Sequence, residues 1–360
     1  MGTSTLTGGT PYLSPPRIVD LVRQIAELHA RGVEIGIVSS GAMAAGKEKL
    51  NFPLLPKQIP AKQMLAAIGQ PRLMNLYAQL FELFNITVAQ VLLTRADIEN
   101  RRSYLNARNS LQALLEQQVL PVINENDTVA TEEIRLGDND NLSAQVANLI
   151  EADLLLMLTD QPGIFTADPR TSPDAKMIRE VTSDEIPEVL WKAAGGTVNE
   201  LGTGGMITKL QAADLARRSG TTVVVARGSD PDVILQVVNG AEVGTWFFPV
   251  NSGTESRKRY ILMSGRLENT WLTIDDGAVR ALQNGGSLLP IGIVSCEGEF
   301  ERGDVIRVRN SQEREIARGV TNYNHHQLKK IIGQHSQLIE EILGFTYGDE
   351  VIHRNDMVML

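Results

Sequence analysis

Val119-Leu120-Pro121-Val122-Ile123-Asn124-Glu125-Asn126-Asp127 and, beginning ten residues after that aspartate, Gly137-Asp138-Asn139-Asp140-Asn141-Leu142-Ser143-Ala144 run from an apolar strand, through a dense set of acids and amides, into a helix that begins near Asn141. That order places both polar groups at the carboxyl end of a strand, where open α/β sheets bind ligands. Acids and amides together suit a small zwitterion with an ammonium group, and carboxylate and water oxygens suit Mg2+. A surface loop with Asn141 as helix N-cap is the plainer alternative. It accounts for one polar residue and leaves the others without a reason.

Working outward, apolar strands alternate with amphipathic helices as far as about residue 250. Ser14-Pro15-Pro16 opens a helix with Ser14 as N-cap and apolar positions at Ile18, Val19, Val22, Ile25 and Leu28. Val33 to Val38 reads as a buried strand ending in Ser39-Ser40-Gly41-Ala42, and Ile86 to Leu93, Leu154 to Leu158 and Thr222 to Ala226 read the same way. This predicts a mainly parallel sheet sandwiched by helices. The polar run Pro249 to Glu255 leads into Arg257-Lys258-Arg259 and breaks the pattern. Beyond it, short glycine-punctuated strands at Trp271 to Ile274, Ser287 to Leu289, Ile291 to Ser295, Val305 to Val308 and Glu315 to Val320 predict a small β-rich domain.

Composition sets the outer bounds. A chain of 360 residues, 42% hydrophobic and 21% charged, has room for two domains with buried cores. The net charge of -9 argues against a surface that is basic throughout. One cysteine, Cys296, excludes an internal disulfide framework and a cysteine-based metal site, as expected in a reducing cytoplasm. No apolar run is long enough to span a membrane, and the first residues do not read as a secretory leader.

Three more polar turns follow strands or open helices. Leu201-Gly202-Thr203-Gly204-Gly205-Met206-Ile207-Thr208-Lys209 runs into a helix, and glycines before a helix N-terminus let backbone N–H groups approach a phosphate while a lysine adds charge. A glycine-rich connector beside a surface lysine fits the same residues. Thr159-Asp160 ends a strand, and Ser39-Ser40-Gly41-Ala42 ends another; each suits a polar ligand group, and each also reads as an ordinary turn or helix cap.

Together, Asn124-Glu125-Asn126-Asp127, Gly137-Asp138-Asn139-Asp140-Asn141, Leu158-Thr159-Asp160, Thr166-Ala167-Asp168-Pro169-Arg170 and Gly202-Thr203-Gly204-Gly205-Met206 occur in the order of the amino acid kinase family, which the chain resembles over essentially its whole length. The C-terminal part is similar to a PUA module, with Thr273-Ile274-Asp275-Asp276-Gly277-Ala278 and Ser287-Leu288-Leu289-Pro290 near its start. The resemblance implies a kinase domain over residues 1–250, a linker over 251–265 and a PUA domain over 266–360. It implies ATP-dependent, Mg2+-assisted phosphorylation of the side-chain carboxylate of L-glutamate, the first step of proline synthesis, in the cytoplasm. By residue matching, Ser40, Asp127 and Asn139 hold glutamate. Thr159, Asp160, Thr203, Gly204, Gly205, Met206, Ile207, Thr208 and Lys209 hold ATP. Asp140 organises the catalytic centre and Lys209 stabilises the transferring phosphoryl group; the metal ligands stay open. Further implied are proline as an inhibitor acting through the loop from Asp127 to Gly137, a homo-oligomer (dimer or tetramer) and a glutamyl phosphate reductase as partner, with no membrane association. The rival members of the fold phosphorylate aspartate, acetylglutamate or uridylate.

The chemistry agrees with that reading. A glutamate side chain with a pKa of about 4.3 is ionised at neutral pH and needs no general base. Catalysis reduces to aligning two anions and screening their repulsion. His29 is the only histidine in the first 320 residues, as that requirement allows.

One departure stands out. Family members open with an apolar strand ending in Lys-Leu-Gly-Thr-Ser, whereas this chain opens Met1-Gly2-Thr3-Ser4. The expectation is that the recorded start falls inside that motif, so that an inner strand and its lysine precede Met1. The alternative is a weakened or inactive kinase homologue acting as a binding or regulatory protein. A further alternative, RNA binding through the PUA domain, meets 13 basic against 14 acidic residues in 257–360, which predicts no strong phosphate-tracking surface.

Overall fold

A computed structural model describes residues 1–56, 58–130, 139–167, 169, 171–195, 205–250 and 270–360. The chain forms two compact units, Met1–Asn251 and Ser252–Leu360. The linker expected at 251–265 lies outside the described residues.

In the first unit α1 (Thr3–Thr7) and α2 (Pro15–Ala30) precede the short β1 (Ile37–Val38). The helical pair α3 (Ala42–Lys49) and α4 (Ile59–Glu82) leads to β2 (Val88–Leu93), α5 (Arg95–Glu99), α6 (Arg101–Glu116) and β3 (Leu120–Glu125). Then come α7 (Asn139–Leu149), β4 (Leu154–Thr159), the two-residue strands β5 (Ile164–Phe165), β6 (Met177–Ile178) and β7 (Glu180–Val181), and α8 (Glu188–Ala193). The unit closes with α9 (Met206–Arg218), β8 (Thr222–Arg227), α10 (Val233–Val238) and β9 (Thr245–Phe247).

The expected parallel arrangement is present, divided between two sheets among the described residues. One has the order β1-β3-β2 and is parallel throughout; the other has the order β4-β8-β9-β7, with β8 and β9 antiparallel. β1 is shorter than the strand expected from Val33, and Pro121 supplies a reason. Ile37 pairs with Val122, so Gly36 faces Pro121. Leu120 N–H bonds toward β2 (Thr87 O, 2.9 Å) while Ile123 O accepts from Ser39 N–H (2.9 Å), so position 121 points at β1. A proline there has no N–H to give to the ladder.

Helix α2 begins as expected, with Ser14 at the cap position and Pro15 in its first turn. Its buried stripe is Ile18, Leu21, Val22, Ile25 and Leu28; Val19 is 47% exposed. Leu21 falls on the face defined by 18, 22, 25 and 28, and Val19 one step off it. This stripe packs with Leu6, Ile37, Leu73, Tyr77, Phe81, Leu120, Val122, Val224 and Ala226 into one core. On the other side Ala144, Met157, Ile207, Leu210, Ala213, Ala216, Val223, Val225 and Phe247 form a second core. The inner faces of α7 and α9 are thereby fixed, and with them their first turns.

The second unit has a five-stranded sheet of order β11-β10-β12-β13-β14, built from β10 (Trp271–Ile274), β11 (Ile293–Glu297), β12 (Val305–Arg309), β13 (Glu315–Val320) and β14 (Met357–Met359). Leu272, Ile274, Ile306, Val308 and Ala317 pack on Leu282, Leu328 and Ile331, which come from the helices Asp276–Gln283 and His325–Ile331. The strand expected at Ser287 to Leu289 is a single bridge between Leu288 and Ile352.

Candidate active site

Parallel pairing aligns the carboxyl ends of β1, β2 and β3, with Val38 beside Ile123 and Leu93 beside Glu125. Ser39 and Ser40 follow β1 and Asn124 and Glu125 close β3, so the polar runs singled out in the sequence emerge on one edge. Helix α7 begins at Asn139, two residues earlier than expected, which puts Asn141 inside the helix rather than at its cap. Asn139 and Asp140 thus stand in the first turn, where the helix field favours a negative group.

A hydrogen-bonded set of amides and hydroxyls links these ends. Asn139 Nδ2 donates to Ser40 Oγ at 2.8 Å and to Asn124 Oδ1 at 3.0 Å. Asn124, only 3% exposed, donates from Nδ2 to Gln70 Oε1 at 2.8 Å. Ser39 Oγ lies 2.8 Å from Tyr77 Oη, and burial pushes the Tyr77 hydroxyl up to about 12, so it stays protonated in the working range. Asp127 carries a carboxyl group raised above its ordinary value by burial.

The second half of the site joins α7 to α9. Lys209 Nζ donates to Asp140 Oδ2 at 2.9 Å and to Oδ1 at 3.1 Å. Thr208 Oγ1 donates to Asp140 Oδ2 at 2.7 Å, with Gly205 O as a second acceptor at 3.0 Å. Gly205 adopts φ 82°, ψ -124°, a backbone conformation that favours glycine, and α9 starts at the next residue. At the end of β4, Thr159 Oγ1 donates to Asp160 Oδ1 at 3.0 Å. Thr203, Gly204, Gly137 and Asp138 lie outside the described residues.

A cavity of about 1000 Å³ brings much of this together: Ser40, Asn139, Asp140, Gly205, Thr208 and Lys209 all line it. Residues Ile35 to Val38 and Leu154 to Leu158 also line it, so it extends between the facing edges of the two sheets, and Met1 to Ser4 reach it as well. The Met1 amine donates to Val38 O at 2.7 Å and Ser40 N–H donates to Met1 O at 3.0 Å. Asp127, Thr159 and Asp160 are not among the lining residues. Sequence reading assigned no role to Gln70, a polar residue on a long helix, or to Met43, Lys62 and Ser143, which also border the cavity.

A profile of the amino acid kinase family matches residues 1–227, and a PUA domain profile matches residues 270–343. The chain belongs to the amino acid kinase family. Among the relatives it matches over its full length are glutamate 5-kinases. That of Sodalis glossinidius (strain morsitans) is 56% identical over 360 residues, covering all of this chain and 97% of the relative. That of Yersinia pestis (strain Pestoides F) is 53% identical with the same coverage, as is that of Yersinia pseudotuberculosis serotype O:1b. Among solved structures, UMP kinase from Bacillus anthracis matches with a TM-score of 0.47 and 17% identity, over 69% of this chain and 93% of that one.

Proposed function

We propose that the first unit transfers the γ-phosphoryl group of ATP to the side-chain carboxylate of L-glutamate, giving glutamyl 5-phosphate for proline synthesis. The observation that carries this reading is the ion pair of Lys209 with Asp140, joined by Thr208 and lining one cavity with Ser40 and Asn139. One side of that set suits an amino acid and the other suits phosphates.

Ser40, Asn139 and Asp127 hold the amino-acid end of glutamate, since hydroxyl and amide groups receive a carboxylate while a carboxylate and an amide oxygen receive an ammonium. Thr159, Asp160 and Thr203 to Lys209 hold ATP. The first turns of α7 and α9 suit anionic oxygen through the field of each helix N-terminus. A glutamate carboxylate oxygen attacks the γ-phosphorus, a P–O bond forms, the bond to the β,γ-bridging oxygen breaks, and ADP leaves with that electron pair. No proton needs to be removed, because the nucleophile is already ionised. Lys209 has three N–H donors, two of them engaged by Asp140, which holds the third in position to offset charge on the transferring group. Among the described residues there is no group of three His, Cys, Asp or Glu side chains that could hold a metal. Mg2+ bound with ATP would supply positive charge that offsets the repulsion between the phosphates and the attacking carboxylate.

The same reading includes proline as a competing inhibitor through the Asp127–Gly137 loop, of which residues 131–137 lie outside the described set. It also includes a dimer or tetramer, a reductase that consumes the acyl phosphate, and the cytoplasm as location. No helix among the described residues is long and apolar enough to cross a membrane. The PUA unit is read as not binding RNA at physiological salt; submicromolar, salt-sensitive RNA retention would overturn that part. Turnover of glutamate against aspartate, with the acyl phosphate trapped as hydroxamate, tests the substrate. Preference for aspartate would overturn it.

A further inference from the structure

We propose that Gln70 is a positioning residue for the amino-acid substrate: through Asn124 it orients the Asn139 amide so that Asn139 Oδ1 accepts from the substrate's ammonium group. This rests on the reading of the site as a glutamate site and adds to it a residue outside the motifs.

The reasoning starts from a group that can only donate. Glu125 N–H bonds to the Asn124 side chain at 2.9 Å, so the atom facing it is Oδ1. Asn124 Nδ2 then lies on the other side, where it meets Gln70 Oε1 at 2.8 Å. Gln70 Nε2 in turn points at Gln90 Oε1, at a long 3.5 Å. The same Asn124 Oδ1 receives Asn139 Nδ2, whose second proton goes to Ser40 Oγ. Both donors of Asn139 are engaged, and Oδ1 is buried with no hydrogen-bond partner among the described residues. A buried carbonyl left without a donor is costly, and buried polar groups are nearly always satisfied, by protein, by ordered water or, in a binding site, by the ligand that displaces that water. An ammonium group, with three donors and no acceptor, fits that oxygen.

Gln70 can hold this order because its helix cannot drift. It follows Gly69, where a Cβ would meet Ala42 O at 1.8 Å, so α4 lies directly against the start of α3. Gln70 itself is 9% exposed. Without its Oε1, Asn124 Nδ2 has no acceptor and the Asn124 amide loses one of its two anchors. The Asn139 amide is then released to turn, presenting Nδ2 to the ammonium group and repelling it.

The test compares the full chain with Gln70→Leu and Gln70→Glu by KM for glutamate, KM for ATP, kcat and thermal midpoint. The leucine variant is expected to raise glutamate KM about tenfold or more with ATP KM and kcat within about twofold. The glutamate variant, which keeps an acceptor for Asn124 Nδ2, is expected to stay within about threefold of the parent. A packing role alone would move both KM values, kcat and the midpoint together without rescue by glutamate at position 70, and would overturn the proposal. So would an unchanged glutamate KM in Gln70→Leu while the parent turns over glutamate. A folded parent that phosphorylates no glutamate overturns the proposed function, and this inference falls with it.

Discussion

Lys209 and Asp140 are 13% and 21% exposed at their side chains, so their pair is partly withdrawn from water and its charges are less screened than at a surface. Replacing Lys209 with methionine keeps the stem and removes the cation. We expect kcat to fall about 10²- to 10³-fold, the range for loss of a charge-stabilising donor. Glutamate affinity by equilibrium dialysis should change little, because the role proposed for Lys209 is toward the phosphates. An unchanged kcat would remove Lys209 from the transfer step. Asp127 gives a prediction with a definite sign. Burial raises its carboxyl above the ordinary aspartate value, so the folded protein holds that proton more tightly than the unfolded chain. The ionised form is therefore a cost to stability above the raised pKa, a cost relieved as pH falls through it. The ammonium contact proposed for Asp127 needs the ionised form, so glutamate KM should climb as pH falls through the same value. Asp127→Asn should be slightly more stable at neutral pH in urea without substrate, and should lose the acid-side climb in KM while binding glutamate more weakly throughout. Weaker stability with unaltered KM would contradict both halves.

At the scale of elements, α3 and α4 pack closely against each other and contribute Met43 and Lys62 to the cavity lining. Gly46 and Gly69 make the close packing possible: a Cβ on Gly46 would meet Leu65 O at 2.0 Å, and one on Gly69 would meet Ala42 O at 1.8 Å. Gly69→Ala should cost about 1 to 3 kcal/mol, as overpacking does, read from the urea midpoint, and should raise glutamate KM by shifting Gln70. Stability within error of the parent would show that the helices can separate freely. These two glycines also mark what the sequence could and could not disclose. The alternation of strand and helix and the ends of β3 and β4 were legible because apolar runs stop at Asn124 and Thr159, to within two residues of the observed strand ends. The brevity of β1 depends on which strand Pro121 faces, and the pairing of α3 with α4 depends on glycines 23 residues apart meeting in space. Neither fact has a local signal. Asp140, Lys209, Ser40 and Asn139, each singled out in the sequence, line a common cavity, whereas Gln70 reads along the chain as one more polar position on a long helix.

On the scale of the whole molecule, the two units have separate hydrophobic cores, one set built on α2, α7, α9 and their sheets and the other on β10 to β13. Only the first contains the candidate site. Calorimetry should accordingly resolve two unfolding transitions, and ATP-Mg2+ with glutamate should raise one of them and leave the other in place. A single transition that moves as a whole would mean the units unfold as one. The amino acid kinase fold supplies strand ends and helix N-termini; the claim specific to this chain is that a glutamate carboxylate oxygen becomes bonded to phosphorus. The most direct measurement uses glutamate carrying 18O at both side-chain carboxylate oxygens, ATP-Mg2+ and hydroxylamine, with mass analysis of the phosphate released when the acyl phosphate is trapped. The account predicts one 18O in each phosphate, transferred from glutamate as the bridging oxygen. Unlabelled phosphate would mean that water, and not glutamate, attacks ATP, and would contradict it.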